Sequence, residues 1–175
     1  QQTVVIIERF GKYQATVSSG IHIRMPFGID RIAARIQLRM LQSELIVETK
    51  TNDNVFVTLN IATQYRVNEQ NVMDAYYKLM RPEEQIKSYI EDALRSSVPK
   101  LTLDELFEKK DEIALEVQKQ VAEEMSTYGY IIVKTLITKV EPDAEVKQSM
   151  NEINAAQRKR VAAQELANAD KIKIV

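Results

Sequence analysis

The side chains that most often carry catalysis are scarce in this sequence. It contains a single histidine, His22, and no cysteine. A zinc site of the usual kind and a nucleophile–histidine triad both need partners that a lone histidine lacks, and thiolate chemistry is excluded. Because His22 stands between two isoleucines, an ordinary strand residue is the better interpretation. The sequence therefore predicts no catalytic residue and no metal site.

Two other patterns could do chemistry, and both have simpler explanations. Residues 97–100 match a serine–lysine nucleophile motif, but their proline ends the helix that the motif requires. The neighbouring acids Glu83 and Glu84 could act as general acid and base, yet adjacent helical residues diverge in direction. Lys87, four residues after Glu83, fits a solvated ion pair instead. With only four glycines, none of them grouped, there is also no phosphate-binding loop, and we expect neither an enzyme nor a cofactor.

The basic residues offer binding chemistry. A formal charge of −1 gives no global field that would attract nucleic acid. Alternation over 31–40 predicts a strand that carries Arg31, Arg35 and Arg39 on one face, with Arg24 nearby. Aromatic residues are not interleaved with these arginines, as a stacking platform for nucleic acid requires. An anionic membrane surface and a plain solvated strand face both remain open.

A candidate membrane-contacting tip lies beside these arginines. Pro26, Phe27 and Gly28 break the chain after a short predicted strand and leave an aromatic side chain at the turn. Arg24 and Arg31 flank this apolar tip, a combination that suits an anionic bilayer. We predict that these five residues lie near a membrane.

The elements that must position these residues are strands at the start, short helices in the middle and a long helix at the end. Alternating and β-branched runs predict strands over 3–10, 12–17, 21–25, 31–40, 41–49, 55–67 and 130–140. The alternation slips by one residue after Met40, which predicts a bulge or a bend. Residues 41–49 and 55–67 are expected to form a long antiparallel hairpin with one buried face.

A helical period begins at Asn71. It predicts helices over 72–80, 86–98 and 113–125, and Thr102 with Glu105 forms a capping-box pattern before a further one. Pro142 is predicted in the first turn of a terminal helix that no glycine or proline interrupts through Val175. At more than thirty residues this helix would extend about 45 Å, too far to lie wholly on a small core. We predict that it drives assembly through a sparse apolar set, Val146, Met150, Ile153 and Val161.

These patterns predict an α+β fold. A twisted antiparallel sheet packs with short helices in residues 1–141, and the start of an extended helix or coiled coil follows in residues 142–175. The early apolar run of residues 4–7 is far shorter than the roughly 18 residues of a membrane-spanning helix. We therefore expect this fragment itself to be soluble.

The order of these segments resembles the SPFH domain, also called the band 7 or prohibitin-homology domain, of stomatins, prohibitins and flotillins. Residues 5–13 look like the first hairpin of that family, residues 48–57 resemble its central hairpin, and residues 19–27 are similar to its Pro-Gly-Leu-His-Phe segment, with Ser19 where proline is commoner. Other segments resemble the hypersensitive-induced reaction branch and its bacterial relatives, namely 75–79, 97–100, 103–108, 128–130, 141–143 and 150–156.

This resemblance implies a non-enzymatic membrane scaffold. Members of the family form large homo-oligomers that organise membrane microdomains or hold membrane proteases and channels. Their anchor is a hydrophobic segment or acyl group, which here would precede Gln1. The expected partners are thus further copies of the chain, the lipid bilayer and membrane proteases or channels, at the cytoplasmic face of a plasma or inner membrane, without nucleic acid. The alternatives are a soluble protein- or nucleic-acid-binding adaptor and an enzyme built around a cleft of perturbed acids.

Overall fold

The computed structural model describes residues 3–18, 20, 23 and 28–173, with side chains as far as residue 168. The strands are β1 (Thr3–Arg9), β2 (Lys12–Val17), β3 (Asp30–Gln37), β4 (Leu41–Lys50), β5 (Phe56–Val67) and β6 (Tyr130–Pro142). The helices are α1 (Val72–Tyr77), α2 (Pro82–Ser97), α3 (Leu103–Glu108), α4 (Lys110–Ser126) and α5 (Ala144–Lys173), with short 3-10 turns at Glu69–Asn71 and Val98–Lys100.

The strands form two antiparallel sheets of three strands each. Sheet A has the order β2-β1-β3, and sheet B has the order β4-β5-β6. The α+β fold class is confirmed, with the difference that the chain makes two sheets where the sequence predicted one. The slip of alternation after Met40 marks the crossing, because β3 ends before it in one sheet and β4 begins after it in the other. The predicted hairpin of β4 and β5 is confirmed in continuous register from Leu41 opposite Tyr65 to Lys50 opposite Phe56.

A bulge in β3 changes which residues share a face. Ile6 of β1 lies opposite Ala34, whereas the next residue, Ile7, lies opposite Ile32, so Ala33 is an extra residue on β3. An extra residue reverses the alternation that follows it. Ile32 therefore lies on the face opposite to Ala34, although strict alternation predicts them together.

The same bulge divides the predicted arginine face. Arg31 lies opposite Glu8 and Arg35 lies opposite Val5. Glu8 and Val5 are an odd number of residues apart on β1, so their side chains point to opposite faces of the sheet. The prediction of one basic face for these arginines is wrong.

The core lies between the two sheets and the helices. Large apolar side chains of the strands and helices are almost fully enclosed there, among them Ile6, Leu59, Ile86, Leu94, Leu106 and Met125. The capping box predicted at the start of α3 is also confirmed, because Thr102 accepts from the Glu105 N–H while the Glu105 carboxylate accepts from the Thr102 N–H. Burial of large side chains such as these contributes about 1.5–3 kcal/mol each to the stability of the fold.

The terminal helix begins two residues later than the sequence predicted. Pro142 is the last residue of β6, opposite Val57, and the prediction that it lies in the first turn of the helix is wrong. The Asp143 N–H donates to the Phe56 carbonyl (3.1 Å), and the Lys147 N–H donates to the Asp143 carbonyl (2.9 Å). Residue 143 is thus the junction at which the chain leaves sheet B for α5.

Candidate membrane-contact site

The β1–β2 hairpin ends in a two-residue turn with an exposed aromatic side chain. Phe10 and Gly11 both have positive φ values, 51° and 75°, between the paired residues Arg9 and Lys12. Such turns match the twist of the strands but favour asparagine or glycine, so a phenylalanine at the first position is strained. The Phe10 side chain is 82% exposed. Neither the local conformation nor packing against the domain accounts for a phenylalanine here.

The turn lies at the same end of sheet A as the start of β3. Arg9 is paired with Asp30, and the Arg9 Nε donates to Asp30 Oδ1 across 2.8 Å. This hydrogen bond with the buried carboxylate raises the pKa of Arg9. Gly28, two residues before Asp30, has a φ of 74° with open space on its side-chain side. The ion pair therefore holds the two turns side by side.

The structure covers part of the predicted membrane-proximal set. Arg24, Pro26 and Phe27 lie outside the described residues. Gly28 and the exposed Arg31 are described, and both lie at the Phe10 end of sheet A. Sequence reasoning missed Phe10 because it assigned the residue to the end of a strand; the available signal was an aromatic residue followed by glycine between two strand patterns.

One face of sheet A is apolar without belonging to the core. Val4 and Ile6 of β1 point into the core, so the residues that alternate with them point away from it. Most cross-strand neighbours on this outer face form a partly exposed apolar set, Val5, Ile7, Ala15, Val17 and Ile32, and Arg35, opposite Val5, is the basic residue beside it. Antiparallel sheets that present one face to water usually carry polar residues there. We call this set the apolar face of sheet A.

Two tyrosines of α1 fix sheet A against the helices. Tyr77 donates to Glu8 Oε1 (2.6 Å), and its ring meets that of Tyr13 edge to face, with centroids 6.4 Å apart. The hydrogen bond to Glu8, with smaller contributions from desolvation and nearby charge, raises the pKa of Tyr77 to about 12. The Tyr76 hydroxyl donates to the carbonyl of the bulged residue Ala33 (3.4 Å). These contacts set the orientation of the end of sheet A that carries Phe10.

The four predicted assembly residues divide into two pairs along α5. Val146 and Met150 are half-buried and pack against the core of their own domain. Ile153 and Val161 are 65% and 46% exposed. The first pair therefore attaches the helix to the domain, and the second pair continues the same stripe beyond it.

Within the described residues, no group of three or more histidine, cysteine, aspartate or glutamate side chains is placed to hold a metal ion. No helix in the described part of the chain has the length and apolar character needed to cross a bilayer.

Comparison with known proteins places the chain in a family. Residues 1–171 match the family model described as SPFH domain / Band 7 family. The chain is 40% identical to hypersensitive-induced response protein 4 of Arabidopsis thaliana over 172 residues, which is 98% of this chain and 59% of that protein. It is 26% identical to an uncharacterized protein of Methanothermobacter thermautotrophicus, covering 90% of the chain and 49% of the relative.

A third relative matches the chain over a similar length. The chain is 27% identical to an uncharacterized protein of Mycobacterium bovis over 167 residues, which is 93% of the chain and 42% of the relative. The chain thus spans about half the length of the curated relatives that it matches. A match over nearly all its residues, together with 40% identity to a relative that covers 98% of it, shows the family: this chain belongs to the SPFH domain / Band 7 family.

Proposed function

We propose that this chain is the membrane-facing domain of a non-enzymatic scaffold that forms homo-oligomers, organises membrane microdomains and holds partner membrane proteins such as proteases or channels. The observation that carries the proposal is the exposed, strained Phe10 at the end of sheet A. In the full-length protein, an anchor preceding Gln1 would hold this end at the cytoplasmic face of a plasma or inner membrane. Membership of the SPFH / Band 7 family supports this assignment.

The chemistry of the Phe10 end suits the interface of an anionic bilayer. Transfer of a phenylalanine side chain from water to an apolar environment is worth about 1.5–3 kcal/mol. Lys12 directly follows the turn, and Arg31 lies near it on β3, opposite Glu8; each cation near an anionic surface contributes about 1 kcal/mol. The apolar face of sheet A continues the same surface away from the turn.

A contact of this strength holds a single domain on the membrane only weakly. Stable membrane binding therefore depends on assembly of several copies. Several copies joined into one oligomer bind a membrane together, and the avidity greatly exceeds the affinity of each copy. Ile153 and Val161 supply the apolar positions for this assembly, on the stripe that Val146 and Met150 begin. These four residues are spaced 4, 3 and 8 apart, and at about 100° per residue such spacings keep them on one face of the helix. We assign the α5 helix of a second copy of the chain as the partner that packs on this stripe.

Liposome flotation tests the membrane contact. Wild-type chain should float with vesicles that contain about one third phosphatidylglycerol, and Phe10→Asp should lower the bound fraction severalfold. Phe56→Asp is the matched control, because Phe56 is also an exposed aromatic residue beside a turn but lies in sheet B.

Two results would contradict the proposal. Equal flotation of wild-type and Phe10→Asp chains would remove Phe10 from the contact, and equal losses in both aspartate variants would indicate a non-specific effect of charge. Phe27→Asp, tested in parallel, addresses the part of the predicted tip that lies outside the described residues.

A further inference from the structure

Of the four sheet edges that the described residues form, three are interrupted by register shifts, and β6 is the most thoroughly covered. Its register with β5 shifts twice, at Val133 and at Thr138. The Gln118 side chain of α4 covers the first bulge, because its Nε2 donates to the Val133 carbonyl (3.2 Å) and its Oε1 accepts from the Thr135 N–H (3.2 Å). Bulges and covered backbone groups prevent another strand from pairing with an edge.

The two edges of sheet A are interrupted in related ways. On β2 the register shifts at Gln14, within a strand of only six residues. On β3 the bulge at Ala33 interrupts the regular edge, and the Ala33 carbonyl already accepts a hydrogen bond from the Tyr76 hydroxyl. Neither strand presents a long regular edge.

The β4 edge differs from these three. β4 is ten residues long, and its register with β5 runs from Leu41 to Lys50 without a shift. Within the described part of the chain, no backbone hydrogen bond joins β4 to an element other than β5. A long, regular strand with an unpaired edge is a template on which an extended peptide can form a further ladder.

The side chains of β4 define what such a peptide must carry. On the outer face, Ile46 is 66% exposed and stands between Glu44 and Glu48. Directly opposite residues on neighbouring strands lie about 4.5–5.5 Å apart at Cβ. An added antiparallel strand therefore gains from an apolar residue opposite Ile46 and from basic residues two positions to either side. A cleft of about 540 Å³ lies at the Lys50 end of this edge, between β4 and the end of α2; its lining includes the outer-face residues Glu48 and Phe56 as well as Thr49, Arg95 and Pro99.

We propose that β4 is the docking edge for an extended segment of a partner protein with the alternating pattern basic–x–apolar–x–basic. Backbone hydrogen bonds to the β4 edge supply affinity, while Glu44, Ile46 and Glu48 select the segment. This interaction goes beyond the proposed membrane scaffold and does not depend on lipid binding or on α5.

A second copy of the chain fits the edge less well. In one antiparallel register, the Ile46 side chains of two copies lie opposite each other and cover one another. In this register Glu44 of each copy lies opposite Glu48 of the other, and like charges directly opposite destabilise a strand pair. β6 carries a basic–apolar–basic set, Lys134, Leu136 and Lys139, but its edge is the one that Gln118 and two bulges close. The charges and the edge geometry thus favour a different protein as the occupant.

Fluorescence anisotropy with a labelled nonapeptide, Ser-Thr-Lys-Thr-Ile-Thr-Lys-Thr-Ser, tests the proposal on the unmodified chain. Saturable binding is expected, together with slowed hydrogen exchange in β4. The double variant Glu44→Lys, Glu48→Lys should weaken binding about tenfold, the equivalent of about 1.4 kcal/mol. Glu116→Lys, at an exposed position on α4, is the matched control and should leave binding unchanged. All positions changed are exposed, and circular dichroism verifies that each variant folds.

Two N-methylated peptides distinguish strand addition from simple charge attraction. Methyl groups on alternate residues block the N–H groups along only one edge of a strand. One of the two methylated peptides should therefore lose binding while the other keeps it. Equal binding of both, equal binding of a peptide with glutamate in place of lysine, or concentration-dependent protection of β4 in the chain alone would each overturn the proposal. Loss of flotation in Phe10→Asp leaves it unaffected.

Discussion

The Tyr77 hydroxyl of α1 and the Glu8 carboxylate of β1, 69 residues apart in sequence, are joined by a hydrogen bond of 2.6 Å. This bond and the ring contact between Tyr77 and Tyr13 connect α1 to sheet A at the end that carries Phe10. Because the bond stabilises the neutral phenol, it raises the pKa of Tyr77 from about 10 to about 12. The orientation of the candidate membrane-contact site therefore depends on a group that titrates only in strong alkali.

Tyr77→Phe should remove the pH dependence that this hydrogen bond creates. A phenol whose pKa is higher in the folded state than in the unfolded state binds its proton more tightly when folded. Its stabilising contribution is complete below about pH 10 and declines as the pH rises from about 10 towards about 12. Urea unfolding midpoints measured between pH 8 and pH 11 should fall less steeply in Tyr77→Phe than in the wild type.

Absorbance at 295 nm reports the ionisation of the phenol itself. The difference between the titrations of the wild type and of Tyr77→Phe should have its midpoint near pH 12. A midpoint near pH 10 would show that the bond to Glu8 does not form in solution.

Asp53 should make the fold sensitive to acid. In the β4–β5 turn its carboxylate accepts from the Thr51 hydroxyl and from the Leu103 N–H at the start of α3 (3.3 Å), and these bonds lower its pKa. A carboxylate with a lowered pKa stabilises the fold fully above its unfolded pKa of about 3.9, and the contribution is lost as the pH falls from there through the lower pKa of the folded state. Asp53→Asn should therefore unfold more easily than the wild type at pH 6, with the difference shrinking by pH 3. Urea titrations at the two pH values measure this. Asp104→Asn removes an exposed carboxylate one residue into α3 and is the control; if both variants behave alike, the turn is not the source of the effect.

Gly129 should tolerate no side chain, whereas Gly11 should tolerate one with modest loss. Both have positive φ values, 77° and 75°. A Cβ on Gly129 would lie 2.4 Å from the Asn71 carbonyl oxygen, while a Cβ on Gly11 meets open space. Left-handed backbone alone costs an alanine about 1–2 kcal/mol, so Gly11→Ala should lose about that amount and Gly129→Ala clearly more. Chemical denaturation of the two variants measures both losses, and equal losses would show that the 3-10 turn that ends at Asn71 shifts to relieve the contact.

Elements with a strong period were predictable from the sequence, and features that depend on distant contacts were not. β5 alternates through twelve residues and α2 repeats an apolar stripe, so local pattern and burial agree. The bulge at Ala33 has no local signal, because it arises where β3 pairs with β1. The Gln118 contacts that cover β6 join residues 15 and 17 positions apart, and no period reveals them.

The residues of the candidate site divide in the same way, into those with a local signal in the sequence and those whose role depends on distant contacts. Gly28 and Arg31 were recognisable from turn chemistry and charge, which are local properties. Phe10 had a local signal for the turn, an aromatic residue followed by glycine, but its position beside the start of β3 follows only from the strand pairing. The division of the α5 stripe into a packed half and an exposed half likewise depends on where the helix leaves the domain.

The exposed half of the α5 stripe should carry self-association, and the helix contains its own control. Ile153→Asp with Val161→Asp places two carboxylates on the proposed contact and should shift the chain towards monomer, because buried charges without partners destabilise an interface. Leu166 is 68% exposed and, at about 100° per residue, lies on the opposite side of α5 from Ile153. Leu166→Asp should therefore leave the association unchanged.

Sedimentation velocity over a range of concentrations measures the distribution of monomers and oligomers. Truncation after Glu141 gives the behaviour of the domain without α5. Association that survives both the double substitution and the truncation would assign the contact to the sheets and the shorter helices, whereas equal loss in the Leu166→Asp variant would show that both sides of α5 have neighbours, as in a closed ring of helices.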